Sequence, residues 1–203
     1  MAKLKAVLLT VLLALLTTAC SPVRPNIDLS DSAYIASAGT KSDSRKINKL
    51  DIRSTADEGE IVRSFPETYI PIKTAITTSK TVEADLKKFF DDVTSVDPSA
   101  PRSLAITITK ADCYWLYGGA MAIPFVGLLA VGADTDFGMN LRFLIEVEEN
   151  GKVISTYPVE EKIVIQGKAT TRDSVEESYK KLMAEYRKRV FGALENRFVK
   201  RYL

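Results

Sequence analysis

The 203-residue chain contains no histidine, two cysteines and one tryptophan. Without an imidazole there is no Ser-His-Asp or Cys-His nucleophile set, and no side chain that ordinarily exchanges a proton near neutral pH. The commonest ligand for zinc and copper is missing as well, and two cysteines cannot build a thiolate zinc site. No glycine-rich phosphate loop of the required form occurs, and no Ser-x-x-Lys pair stands in a context suited to catalysis. These absences speak against an enzyme and against a resident metal or cofactor. Charge excludes a further class: there are 28 basic and 26 acidic side chains, and two of the bases, Lys3 and Lys5, precede residue 20. The remainder is balanced and projects no global field that would gather nucleic acid.

What is present begins at the N-terminus. Lys3 and Lys5 lead into an uncharged, leucine-rich run over residues 6–19, which ends in small residues before Cys20. This order is that of an export signal: charged start, apolar middle, cleavage region. The run falls short of the roughly 20 residues that a spanning helix needs, so residues 1–19 are expected to be a removable signal peptide. The stretch Leu16-Thr17-Thr18-Ala19-Cys20 resembles the lipobox of bacterial lipoproteins, with its leucine one place further out than the family prefers. That resemblance implies that Cys20 receives a diacylglycerol, then a further acyl chain of the palmitate kind, and becomes the mature N-terminus. Each buried methylene contributes about 0.8 kcal/mol, so one chain holds reversibly and two or three hold firmly. Ser21 stands where enterobacterial lipoproteins place aspartate for inner-membrane retention. The expected location is therefore the outer membrane, lipid-anchored, on its periplasmic face. With Cys20 acylated, Cys113 has no partner for an intramolecular disulfide and reads as a small buried hydrophobe.

Beyond the anchor, residues 20–45 are rich in Ser, Asp, Ala and Pro and lack periodicity, which predicts a flexible tether. Residues 46–203 are expected to form a single domain. Strand-like pieces occupy 46–53, 61–65 and 68–77, restricted to edges or strand starts by Pro66 and Pro71. Apolar Val82, Leu86, Phe89, Phe90 and Val93 make one helical stripe over 79–93, capped by Ser79 or Thr81. Alternation predicts a strand over 104–113, then two strands over 138–148 and 152–166 joined by the hairpin signal Asn150-Gly151, with Pro158 marking a bulge or break. A long helix over 174–201 closes the chain, with Ser174 and Glu177 spaced as a capping box. Its apolar stripe runs through Val175, Tyr179, Leu182, Met183, Tyr186, Val190, Leu194 and Phe198. Arg187, Lys188, Arg189, Arg197, Lys200 and Arg201 are assigned to its solvated face. The fold class is thus α+β: an antiparallel sheet packed by two helices, the longer one C-terminal, with an apolar, glycine-rich insert between strands.

That insert, residues 113–133, carries no charge between Asp112 and Asp134. It is long enough to span a bilayer, but Gly118, Gly119, Pro124 and Gly127 interrupt a helix, and the flanking strands must pair on one side of any membrane. It is either a buried crossover or an exposed contact surface. Trp115, Leu116, Tyr117, Phe125 and Leu128 are the candidate membrane or partner contacts, because aromatic rings with polar tips suit an interface. Asp134 and Asp136 supply too few oxygens for calcium.

With Cys20 after the signal, a helix over 82–93 ahead of strand 104–113, the hairpin at Asn150-Gly151 and a closing helix, the layout resembles small outer-membrane lipoproteins of the YajG-like and LptE-like kind. The resemblance implies an accessory or assembly role, non-enzymatic, through contacts with a protein partner in the cell envelope. An alternative is a carrier or sensor of an apolar ligand such as lipid, held between sheet and helices. Partner identity and oligomeric state stay open.

Overall fold

The computed structural model describes residues 24–30, 45–64, 67–118 and 134–203. Its elements in chain order are β1 (Lys46–Ile47), β2 (Leu50–Ser54), β3 (Val62–Ser64), β4 (Glu67–Pro71), α1 (Thr78–Val93), β5 (Ser95–Val96), β6 (Arg102–Tyr117), β7 (Asp134–Glu149), β8 (Lys152–Lys168) and α2 (Arg172–Ala193). A π-helical segment, Leu194–Val199, and a last turn, Lys200–Tyr202, prolong α2 to the C-terminus. This is the expected α+β class. Two helices, the longer C-terminal, cover one face of a mostly antiparallel sheet.

The long strands follow from alternation. In β7, Phe137, Met139, Leu141, Phe143, Ile145 and Val147 are all buried, each two residues from the next, so one face is apolar along the whole strand. β6, β7 and β8 form an antiparallel meander. The β7–β8 turn is Asn150-Gly151, with φ of 52° and 76°, the left-handed pair that a type I′ hairpin requires. Pro158 causes no break: it pairs with Leu144 in continuous register. β8 occupies the end of the strand order, where a residue without an N–H is tolerated. The irregularity lies nearer the turn, where Val147 pairs with Ser155 but Glu148 with Val153, leaving Ile154 as the extra residue.

On its other side β6 is shared. β2 runs parallel to its first half, Leu50 opposite Leu104, and β4 runs antiparallel to its end, Tyr69 opposite Leu116. The strand expected over 46–53 divides into β1 and β2, because β1 leaves to pair in parallel with β5. The helix starts also shift from the expected ones. Thr77, before Ser79, accepts the Lys80 N–H at the start of α1. Thr171 and Ser174 form the reciprocal capping box of α2, so Ser174 is its third residue and Glu177 has no part in it.

The core lies between this sheet and the helices. Val82, Leu86, Phe89, Phe90 and Val93 of α1 are buried as the stripe predicts, as are Tyr179, Leu182, Met183, Tyr186, Val190, Leu194 and Phe198 on the α2 side. The helices join through aromatic contacts, Phe89 stacking on Phe191 at 5.1 Å and Phe90 meeting Phe198 edge-on at 6.0 Å. Such pairs add about 0.5 to 1.5 kcal/mol each beyond area burial. Among the described residues, no helix is long and apolar enough to cross a membrane.

Candidate functional site

Three of the candidate contact residues, Trp115, Leu116 and Tyr117, end β6. A bulge decides which way they face. Ile108 pairs with Phe143 and Lys110 with Arg142, so Thr109 is an extra residue, and its hydroxyl donates to the Arg142 carbonyl at 3.3 Å. Because side chains alternate with a period of two, one inserted residue exchanges the faces. On the helix side the buried positions before the bulge are Leu104, Ile106 and Ile108, and after it Ala111 and Cys113. Trp115 follows in the same phase, packing on the core opposite Phe137. Tyr117 lies one step further, with its ring edge-on to Trp115 at 6.2 Å and 40% of its surface exposed.

Leu116 takes the other face of the sheet, opposite Tyr69. There Tyr114 is buried, with Tyr69 edge-on at 5.1 Å and Gly138 beneath its ring. A side chain at position 138 would collide with that ring, so glycine is required by the close approach of Tyr114. The structure therefore divides the three residues, with Trp115 and Tyr117 on the helix side and Leu116 with the Tyr69–Tyr114 pair on the other. Cys20, Phe125 and Leu128 lie outside the described residues.

Cys113 is buried beside Thr78 of α1, and burial pushes its thiol up to about 12. A thiol so far from ionising is no nucleophile near neutral pH, in keeping with the small-hydrophobe reading. Burial likewise raises the Tyr179 phenol. Among the described residues, no group of three or more Cys, Asp or Glu side chains stands close enough to hold a metal ion.

A second site was not legible in the sequence. Residues 24–30, part of the stretch read as tether, lie along the helical layer. Arg24 gives two N–H donors to the Glu58 carboxylate at 2.8 and 3.1 Å, and the Ala75 N–H donates to the Pro25 carbonyl at 2.9 Å. Ile27 and Leu29 are partly buried against the core. The Leu29 carbonyl accepts from Arg187 at 2.8 Å, while the same guanidinium makes a bidentate pair with Asp85 of α1, both bonds 2.9 Å. Arg187 was expected on the solvated face of α2, yet it is buried, because α1 presents Asp85 to it. Burial raises the Asp85 carboxyl above the usual carboxylate range, with the Arg187 bonds opposing that shift. Between these residues and the helices lies a groove of about 580 Å³, lined in part by Ile27, Leu29, Ile76, Lys80, Lys88 and Tyr179.

No family model matches the sequence, and no curated protein matches it. By fold the chain is similar to a Xanthomonas campestris protein described by the family model DUF330, with a TM-score of 0.44 and 10% identity, over 85% of this chain and 94% of that one. It is also similar to a minor lipoprotein of Acinetobacter baumannii, with a TM-score of 0.38 and 12% identity, over 73% of this chain and 93% of that one.

Proposed function

We propose that this chain is a non-enzymatic, lipid-anchored accessory or assembly protein of the bacterial outer membrane, of the YajG-like or LptE-like kind, with its body on the periplasmic side. The observation that carries the reading is the join of signal and cysteine: a charged start, a short apolar run and small residues ending at Cys20. The body supports a contact role. Its β6 strand runs into an uncharged segment, and the last described residues before that segment include the exposed ring of Tyr117 beside Trp115. An aromatic body with a polar tip is favoured where apolar and wet surroundings meet. The partner is a protein or membrane surface of the envelope.

The alternative, an apolar-ligand carrier, would not use the space between sheet and helices, which side chains such as Phe90, Phe137, Phe143 and Tyr186 fill. It would have to use the groove beneath residues 24–30, where Ile27, Leu29, Ile76 and Tyr179 stand beside the charged Asp28, Lys80, Asp85, Lys88 and Arg187.

Replacing Cys20 by alanine tests the reading. The wild-type protein is expected in the outer-membrane fraction with an acyl mass on its N-terminal cysteine, and Cys20→Ala is expected to leave that fraction. A wild-type N-terminus without acyl mass, or unchanged fractionation of the variant, would overturn it. Crosslinking in intact cells then identifies the partner, and co-purified lipid without any crosslinked protein would favour the carrier.

A further inference from the structure

Resting on the reading that Cys20 is acylated, we infer that the folded body is held close to the bilayer by residues 24–30, with the loop 72–76 turned to the lipid surface. The path of the chain supplies the argument. Traced backward, Leu29 lies at Arg187, Pro25 at Ala75 and Arg24 at Glu58. The segment thus runs from the middle of α2 to the loop before α1. That loop abuts β6 near its end, where the Ile72 N–H donates to the Cys113 carbonyl at 2.9 Å. Arg24 itself sits on Glu58, next to Gly59, which lies against Asp112 of β6.

Lengths decide the consequence. From Arg24 to Cys20 the backbone takes four steps, a leash of about 14 Å at full extension. Were residues 20–45 all free, the root-mean-square reach would be roughly 28 Å and the extended reach about 90 Å. The body is long compared with the leash: β6 has 16 residues, about 53 Å at roughly 3.3 Å each. Held within that leash at Arg24, the neighbouring loop 72–76 stays near the headgroups, while the Asn150-Gly151 hairpin, about 36 Å along the strands from Cys113, is free to stand away from them.

The surface presented is compatible with lipid. Ile76 is 59% exposed, and exposed Lys73 and Lys80 flank it. Lysine stems lie along apolar surface while their ammonium groups reach headgroups. Asp57, Glu58 and Glu60 are exposed nearby and Arg24 is already paired with Glu58, so charge attraction to anionic lipid is not what holds the face down. The leash does that.

The test uses the mature, acylated protein in phosphatidylethanolamine–phosphatidylglycerol vesicles carrying a nitroxide on a fraction of headgroups. A fluorescent label is placed on Ile76→Cys or on Lys152→Cys at the hairpin; native Cys113 is buried and does not label. Quenching is expected to be several-fold stronger at 76 than at 152. Twelve Gly/Ser residues inserted between Val23 and Arg24 should abolish the difference, whereas the same insertion between residues 37 and 38, downstream of the docked segment, should leave it intact. Equal quenching at the two sites in acylated protein, or loss of the difference by the downstream insertion, overturns the inference. The mass of the N-terminal cysteine, measured on the same sample, separates the two failures. Without an acyl group the anchor reading itself falls and this inference with it, whereas an acylated protein without the gradient defeats this inference alone.

Discussion

The two faces of the sheet are built by the same strands and covered differently. Toward the helices, β6 and β7 present Leu104, Ile106, Ile108, Phe137, Met139, Leu141, Phe143 and Ile145, all buried. Away from them, Lys110, Arg142, Glu160 and Lys162 stand in solvent, and Arg142 pairs with Glu160 at 2.5 Å with side chains 58% and 70% exposed. Among the described residues, the second face closes over only near Tyr114 and Gly138. The difference teaches that burial, more than residue type, sets what a substitution costs here. It also shows one place where the open face should behave like the sealed one.

The largest effect belongs to the sealed face. Leu182→Asp puts a charge among buried side chains and is expected to abolish cooperative thermal unfolding, since an unpaired buried charge exceeds what a marginally stable domain tolerates. Arg189→Asp on the exposed side of the same helix loses a pair with Glu185 and should cost under about 1 kcal/mol. Equal melting curves for the two would refute the assignment of the α2 faces.

Next comes the ion pair that joins the helices. Arg187 and Asp85 have side chains only 8% and 15% exposed, so Arg187→Met or Asp85→Ala alone should cost about 3 to 5 kcal/mol by leaving the other charge buried. The double variant should recover part of that loss in a urea-unfolding cycle. Strict additivity would mean that the two groups are not coupled.

Gly138→Val breaks the comparison on purpose. It lies on the open face, yet the Tyr114 ring occupies the space its side chain would take, and overpacking there should cost about 1 to 3 kcal/mol. Arg142→Ala on the same face, away from the aromatic pair, should change stability by less than about 1 kcal/mol. If denaturant midpoints move equally for these two, Tyr114 is not seated on Gly138.

The smallest effect is a titration at the loop after β5. Hydrogen bonds from Ser99, side chain then backbone, with Lys46 assisting, hold the Asp97 carboxyl down to about 2 from 3.8. A lowered folded value contributes stability above the unfolded one and loses it as pH falls through about 2. A carboxyl-detected NMR titration of Ser99→Ala should therefore show the Asp97 midpoint rising toward the usual carboxylate range. An unmoved midpoint would assign the shift to the residue-99 backbone N–H and Lys46 instead of the Ser99 hydroxyl.

The long elements were legible because each one carries a whole period of pattern. The stripes of both helices, the alternation in β7 and the paired left-handed residues at Asn150 and Gly151 need no partner to be recognised. The short pieces were less so. A two-residue strand such as β1 shows no alternation, and its parallel pairing with β5 depends on where α1 ends. Of the contact candidates, the sequence pointed to Trp115, Leu116 and Tyr117 as one group, but it held no sign of the bulge at Thr109, and so no sign that Leu116 faces away from the other two.

Residue order alone determined the class of the molecule, the candidate lipid site at Cys20, the sealed face of each long element and the absence of histidine chemistry, because periodicity and composition are local properties of the chain. Tertiary structure decided the rest. Arg187 and Arg189 are two residues apart in one helix, and no local property tells them apart. One is buried because Asp85 on α1 and the Leu29 carbonyl meet it there, and the other stays in solvent beside Glu185. The same holds for residues 24–30, whose composition is that of a linker. They lie against the body because Glu58, Ala75 and Arg187, distant in sequence, offer partners for Arg24, Pro25 and Leu29. Contacts between residues far apart in the chain exist only once the fold has brought them together.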